Sequence, residues 1–323
     1  MRYKLLGFAL IVHALAHAAA GMWATSMTSP ALVTLLWGLA TVSFLLAGGA
    51  ILGWIDLFGK VRQVTAIGAV SSLGLLVLFM HRWFLPGIVI DAALLGLVVL
   101  QGAEISARPS RRKLSRILYG AFVGYVAVLI GLRTWTFTWG ATETERVMPL
   151  AGDPSIADPH YRIDHAITVN APAESVWPWL VQIGQDRAGF YSYDWLERAF
   201  GDHVYNYDEI IPYWQRREVG DFVRGAQTDY LFGLAGPNVG WRITNLEPGR
   251  AMVLEGWGAF IVHPIDSTHS RLHIRSRGSG SPTLRGIALA PISLMTLEPA
   301  HFIMERRMLL GIKQRAEASV AGP

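Results

Sequence analysis

Apolar residues follow two different rhythms along this chain. In the first they run almost unbroken through five stretches, 5–24, 31–55, 63–80, 84–103 and 114–132, separated by short breaks that carry charge or turn residues. A helix needs roughly 20 mostly apolar residues to cross a membrane. An α-helical transmembrane bundle of about five antiparallel helices is therefore expected over residues 1–135. Gly120 and Gly124 form a GxxxG in the fifth stretch, and Gly68, Ser72 and the run Ala47-Gly48-Gly49-Ala50 offer further small surfaces for helix approach. Trp135, Phe137 and Trp139 then suit an interfacial aromatic belt. Pro149, Pro154 and Pro159 follow, so residues 136–160 are expected as an interfacial exit and linker.

The second rhythm has period two. Ile163, His165, Ile167 and Val169 alternate with Arg162, Asp164 and Thr168, which predicts a strand. Asn170 is the expected N-cap of a helix with Pro172 in its first turn, Glu174 near its positive end and an apolar face of Val176, Trp177, Leu180 and Val181. Pro178 should bend or shorten that helix. Ser192 and Gly201 bracket a second short helix. Strands are expected at 220–226, 239–247, 250–265 and 270–278, the third divided around Gly256 and Gly258, with turns at 247–250 and 266–270. A closing helix opens at Pro299. The order strand, two helices, antiparallel strands, long helix is an α+β pattern over 161–318.

Composition separates the two halves further. Of 323 residues, 52% are hydrophobic and 16% charged, against about 25% charged in an ordinary soluble domain. Residues 1–149 carry a net charge of +7 and residues 150–323 a net of −3. The positive excess therefore belongs to the apolar half, where it reports membrane orientation and not nucleic-acid binding. Nine Lys and Arg, among them Arg2, Lys4, Lys60, Arg62 and Arg108–Arg116, fall in alternate breaks on the N-terminal side, against Arg82 and Arg133 on the other. This predicts a multi-pass protein of the cell membrane with a cytoplasmic N-terminus and an extracytoplasmic C-terminal half. Residues 1–20 also read as a signal peptide, whose cleavage would leave four spans and the C-terminal half still outside. The absence of cysteine excludes disulfides, thiolate metal sites and a cysteine nucleophile.

Ionisable residues within the spans are functional candidates by default. His13 and His17 share a face of the first span, Asp91 falls in the fourth, and His81 and Arg82 end the third. They form either a polar cluster, such as a proton relay or headgroup site, or a satisfied pair in which His and Asp91 bond one another. Two histidines on one helix cannot supply opposite axial ligands to one haem.

The stretch "ITVNAPAESVWPWL", followed by strands and the closing "LEPAHFIMERRMLLGIKQRAE", resembles the SRPBCC superfamily, the START, polyketide cyclase and Bet v 1-like group. The resemblance covers residues 161–318. It implies a helix-grip fold, in which a curved antiparallel sheet wraps the C-terminal helix and leaves an apolar cavity, and it implies a lipid-like, sterol or polyketide ligand. The segment 279–298 is longer than the connection usual in that group and reads as a lid, a membrane-touching loop or an extra helix.

On the closing helix, His301, Met304, Glu305, Met308 and Ile312 fall on about a third of the circumference. His301 and Glu305, one turn apart, form a candidate catalytic acid/base pair or a structural ion pair. Met304, Met308 and Ile312, with Trp179, Tyr191, Tyr193, Trp195, Trp214, Trp241 and Trp257, are the candidate lining of a ligand cavity, and Arg224 is a candidate for an anionic group. No phosphate-binding glycine loop, GxSxG elbow, HExxH or EF-hand occurs. No cofactor, metal or nucleic-acid partner is expected. The partners expected are the lipid bilayer and a hydrophobic small molecule, bound or processed in the cavity. A cyclase-like or hydrolytic enzyme using His301 and Glu305, and a non-catalytic membrane scaffold, stand as alternatives.

Overall fold

The computed structural model of the chain describes residues 2–23, 30–78, 85–100, 113–156, 159, 161–199, 205–228, 230, 238–278, 283–284, 287–288 and 293–321. It divides into two compact units, Met1–Thr134 with Ser281–Glu298, and Trp135–Gly280 with Pro299–Pro323.

The first unit is helical. It contains α1 (Arg2–Trp23), α2 (Pro30–Ile51), α3 (Val61–Leu78), α4 (Leu85–Leu100) and most of α5 (Lys113–Phe137). In chain order, α1 packs on α2, α2 on α3 and α3 on α4. Two stretches, Ala31–Ile51 and Leu118–Phe137, are long and apolar enough to cross a membrane, while Lys4–Leu15 and Val61–Leu76 are shorter apolar helices. Close approach uses some of the expected small residues. A Cβ on Gly48 would meet the Gly7 carbonyl at 2.7 Å, and one on Gly49 would strike the Tyr119 ring at 2.1 Å. Gly120 and Gly124, by contrast, face open space, so the GxxxG makes no close contact within the described residues. Arg133, buried near the end of α5, donates through Nε and Nη2 to both oxygens of Glu298, at 2.8 and 3.1 Å.

The second unit is built on a six-stranded antiparallel sheet, in the order β1-β6-β5-β4-β3-β2. The strands are β1 (Tyr161–Val169), β2 (Phe222–Arg224), β3 (Gly240–Glu247), β4 (Ala251–Leu254), β5 (Gly258–Pro264) and β6 (Ser270–Gly278). β4 and β5 meet around Gly256 and Gly258, as the glycine spacing predicts. The period-two patterns set the faces. His165 pairs with Ile274, and Asp164 with Arg275, so one face of β1 and β6 carries Ile163, His165, Leu272 and Ile274 while the other carries Asp164, His273 and Arg275. On the first face lie α7 (Ala173–Val181) and the closing helix α9 (Glu298–Ala321), with α8 (Asp194–Ala199) between them in sequence. Met252, Leu254, Phe260, Leu272, Ile274, Met308, Leu309 and Ile312 form the centre of this core. A separate short pair, β7 (Thr283–Leu284) with β8 (Ile287–Ala288), stands in the segment that precedes α9.

The described residues of the region read as a linker pack on the opposite face. Its helix α6 (Glu143–Val147) is closed by a capping box between Thr142 and Glu145, a reciprocal satisfaction of two orphan N–H groups. Leu150 packs with Ala251, Val253, Ala259 and Ile261, so both faces of β4 and β5 are buried. Gly140 forms a bridge with His165 on the free edge of β1. Its φ is +71°, and a Cβ there would lie 2.1 Å from the Ala166 carbonyl oxygen.

Two expected helix starts move. α7 begins at Ala173 with Pro172 in the cap position, where a ring replaces the side-chain acceptor; the Asn170 backbone N–H is instead taken by Glu317 at 2.7 Å. α8 begins at Asp194, because the Ser192 hydroxyl donates to the Met304 carbonyl at 2.9 Å and does not cap it. The expected stop at Gly201 and the residues His81 and Arg82 lie outside the described residues.

Candidate functional site

The core-facing stripe of α9 runs Glu305, Met308, Ile312, Ala316, each buried. Three of these are apolar and the fourth is a carboxylate with no exposed side-chain surface. An isolated buried charge is too costly to survive, so it must be paired and hydrogen-bonded. Glu305 is both. Its Oε1 lies 2.6 Å from His165 Nδ1, on the inward row of β1. Its Oε2 accepts from Trp257 Nε1 at 2.8 Å and stands 3.2 Å from His301 Nε2. Trp257 reaches the carboxylate from the β4–β5 turn, where Gly256 has a φ of +80°.

His165 is held from both sides. Its Nε2 lies 2.6 Å from the carbonyl oxygen of Thr136. The rings of Phe302 and Trp139 meet it edge-on, with centroids at 5.6 and 6.3 Å. Burial by itself would push the Glu305 carboxyl up, but the His301 charge, the His165 hydrogen bond and the remaining His contacts overcome it and hold the group well below the usual carboxylate range. A carboxylate and a carbonyl only accept. Both ring nitrogens of His165 thus face acceptors, to which a doubly protonated ring would donate twice. His301 differs, since a third of its side chain is exposed. The arrangement is a shielded carboxylate, a buried histidine that balances it, and a second, partly exposed imidazole whose Nε2 lies within ion-pair distance of it. An oriented imidazole is a unit of general acid–base chemistry.

The structure thus brings the candidates His301 and Glu305 together. The candidate cavity residues divide into three sets. Trp179, Tyr191, Met308 and Ile312 are buried in the core, with Trp214, Trp241 and Trp257 packed against it. Trp241 and Trp257 meet at a tilt of 48° with 4.3 Å between centroids, and Phe190 meets both. These side chains contribute to the hydrophobic core between α9 and the sheet. Met304 is half-buried, with its sulfur 3.5 Å from the Ser192 hydroxyl. Tyr193 and Trp195 line a cleft on the side of α9 away from the sheet. Arg224 sits half-buried at the end of β2, the edge strand.

Sequence reasoning did not single out His165, Trp139 or the Thr136 carbonyl as parts of one site. His165 carried a signal, as the one imidazole among the apolar Ile163, Ile167 and Val169 of the inward row of β1.

Two further polar clusters are buried. On the other sheet face, Asp164 accepts from Arg275 Nε at 2.7 Å, His273 Nε2 at 3.0 Å and Arg162 Nε at 2.9 Å. Arg275 also donates to the Met148 and Glu145 carbonyls and to Asp153. Burial opposes ionisation of Asp164, but the His273 hydrogen bond and the Arg275 charge outweigh it and lower its pKa. In the helical unit, Asp91 meets His13 Nε2 at 2.9 Å and accepts from the Ser72 hydroxyl, which lies 3.1 Å from His17 Nε2. The candidates His13, His17 and Asp91, read from two separate stretches, are therefore one network joined through Ser72 and closed by the Phe44 ring. Among the described residues no group of three or more His, Asp or Glu is arranged to hold a metal ion. Compared with known protein families, curated proteins and solved structures, the chain gives no match.

Proposed function

We propose that this is a membrane-anchored protein whose C-terminal α+β domain acts on a hydrophobic, lipid-like small molecule by acid–base chemistry at His301, oriented by Glu305. The observation that carries the reading is the Glu305 site. A carboxylate is kept ionised inside the core by His165 and Trp257, and its second oxygen is directed at the one exposed imidazole of the cluster. The anchor rests on the apolar helices. Leu35, Val70 and Val128 point outward with more than half of their surface uncovered, which lipid would bury at about 25 cal/mol per Å². The helix-grip resemblance supports the hydrophobic substrate class. A tether of this kind keeps the domain where such a substrate is concentrated.

The close packing of Met308 and Ile312 of α9 in the core with the sheet residues favours a second reading, a non-catalytic scaffold in which Glu305 only pins α9 to the sheet. Full-length protein in nanodiscs, incubated with a total lipid extract and followed by mass spectrometry, separates the two. Catalysis predicts a species consumed by the wild type, and spared by His301→Ala although that variant still retains it. Identical lipid profiles for both proteins would rule the acid–base role out.

A further inference from the structure

The face of α9 turned away from the sheet borders two clefts, of about 520 and 530 Å³, that share Asp208, Arg307 and Arg315. We infer that this groove is a binding site for a small anion carrying a flat ring, with Arg307 holding the phosphate or carboxylate and Tyr193 and Trp195 stacking on the ring. The inference does not rest on the acid–base reading, since no residue of the Glu305 cluster lines the groove.

Charge bookkeeping singles out Arg307. The carboxylates that line the groove are already committed. Asp194 pairs with Arg198 at 2.7 Å, and Asp208 with Arg315 at 2.5 Å. Among the described residues Arg307 makes no ion pair; its guanidinium lies 5.8 Å from the Tyr193 ring centroid. A half-buried cation on an aromatic face, in a cleft whose acids are neutralised, is a site for a negative group. Trp195 is 60% exposed beside it, and its ring stands 6.4 Å from that of Tyr193. A large exposed aromatic beside an unmatched arginine offers both halves of the proposed recognition.

The chain immediately before the groove residues Ser192 and Tyr193 is held in an unusual backbone state. Tyr191 has a φ of +54°, a left-handed conformation that persists in a non-glycine residue only where its surroundings impose it. Here they do. The Tyr191 hydroxyl accepts from Gln182 Nε2 at 2.8 Å, and the Arg315 guanidinium covers the ring at 4.7 Å. Gly311 lets the chain approach so closely that a Cβ there would lie 2.3 Å from the Tyr191 carbonyl oxygen. Asn206 then donates to the Ser192 carbonyl at 2.8 Å, fixing the strip that presents Tyr193 and Trp195.

The test is calorimetric titration of full-length protein in phosphatidylcholine nanodiscs with phenyl phosphate, phenylacetate and inorganic phosphate. Phenyl phosphate or phenylacetate is expected to bind saturably, at least tenfold tighter than inorganic phosphate. Arg307→Gln should weaken it at least tenfold, while Arg307→Lys, which keeps the charge, should stay within a few-fold. Trp195→Ala should weaken the ring-bearing probe and leave inorganic phosphate unchanged. Absence of saturable binding by both ring-bearing probes, or binding indifferent to Arg307→Gln, overturns the inference.

Discussion

Replacing Glu305 offers a quantitative test of the buried cluster, because alanine and glutamine remove different things. Glu305→Ala leaves His165 and Trp257 with buried N–H groups and no acceptor, and leaves the charge balancing His165 gone. Breaking one side of a buried pair costs about 3–5 kcal/mol. Glutamine has another solution. Its oxygen accepts from Trp257, and its NH2 donates to Nδ1 of a neutral His165, which keeps its Nε2–H on the Thr136 carbonyl. Every group stays satisfied, and only the charge assistance is lost, about 1–2 kcal/mol. Amide hydrogen exchange over α9 reads both values as local opening free energies. Protection should fall by roughly two to three and a half decades in Glu305→Ala and by about one decade in Glu305→Gln, since 1.4 kcal/mol is tenfold. Equal losses in the two variants, or a loss below about 1 kcal/mol in the alanine variant, would refute the claim that paired charge holds this helix down.

Three other outcomes follow from the same contacts. Asp164 and Glu305 both have depressed folded pKa values, so their contribution to stability is complete above their ordinary values of 3.8 and 4.5 and is lost as pH falls through the folded ones. Thermal unfolding should therefore show an acid limb below about pH 4.5, and Asp164→Asn should flatten that limb. Arg275→Ala strips the buried Asp164 of its closest partner and should cost about 3–5 kcal/mol in denaturant titrations, with the exchange protection of α6 lost first. Gly140→Ala forces a Cβ against the Ala166 carbonyl at a φ of +71°, so a fall in Tm worth more than about 1 kcal/mol is expected, where an unchanged Tm would mean that this edge bridge contributes little.

Much of the C-terminal domain is legible in the sequence because its signals are local. Alternation places His165 inward and Arg275 outward, and the glycines at 256 and 258 divide β4 from β5. The α9 stripe puts Glu305 in line with Met308 and Ile312. What joins these pieces is not local. His165 and Glu305 are 140 residues apart, and no pattern in either segment reports the other. The segment before β1 shows the same limit. Arg275 is satisfied there largely by the Met148 and Glu145 carbonyls, and a backbone acceptor leaves no mark on composition, so a packed layer reads as a linker. The expected cavity illustrates a different ambiguity. A row of tryptophans suits a ligand or one another, and here Trp241 and Trp257 pack against each other.

The most direct measurement is nitrogen NMR of the full-length protein with 15N-labelled histidine, the His165 signal assigned by substitution. An ionised Glu305 that holds His165 and orients His301 requires both ring nitrogens of His165 to be protonated at neutral pH. It also requires one of them to become bare in Glu305→Gln. A His165 ring with a bare nitrogen in the wild type, unchanged by that substitution, would contradict it.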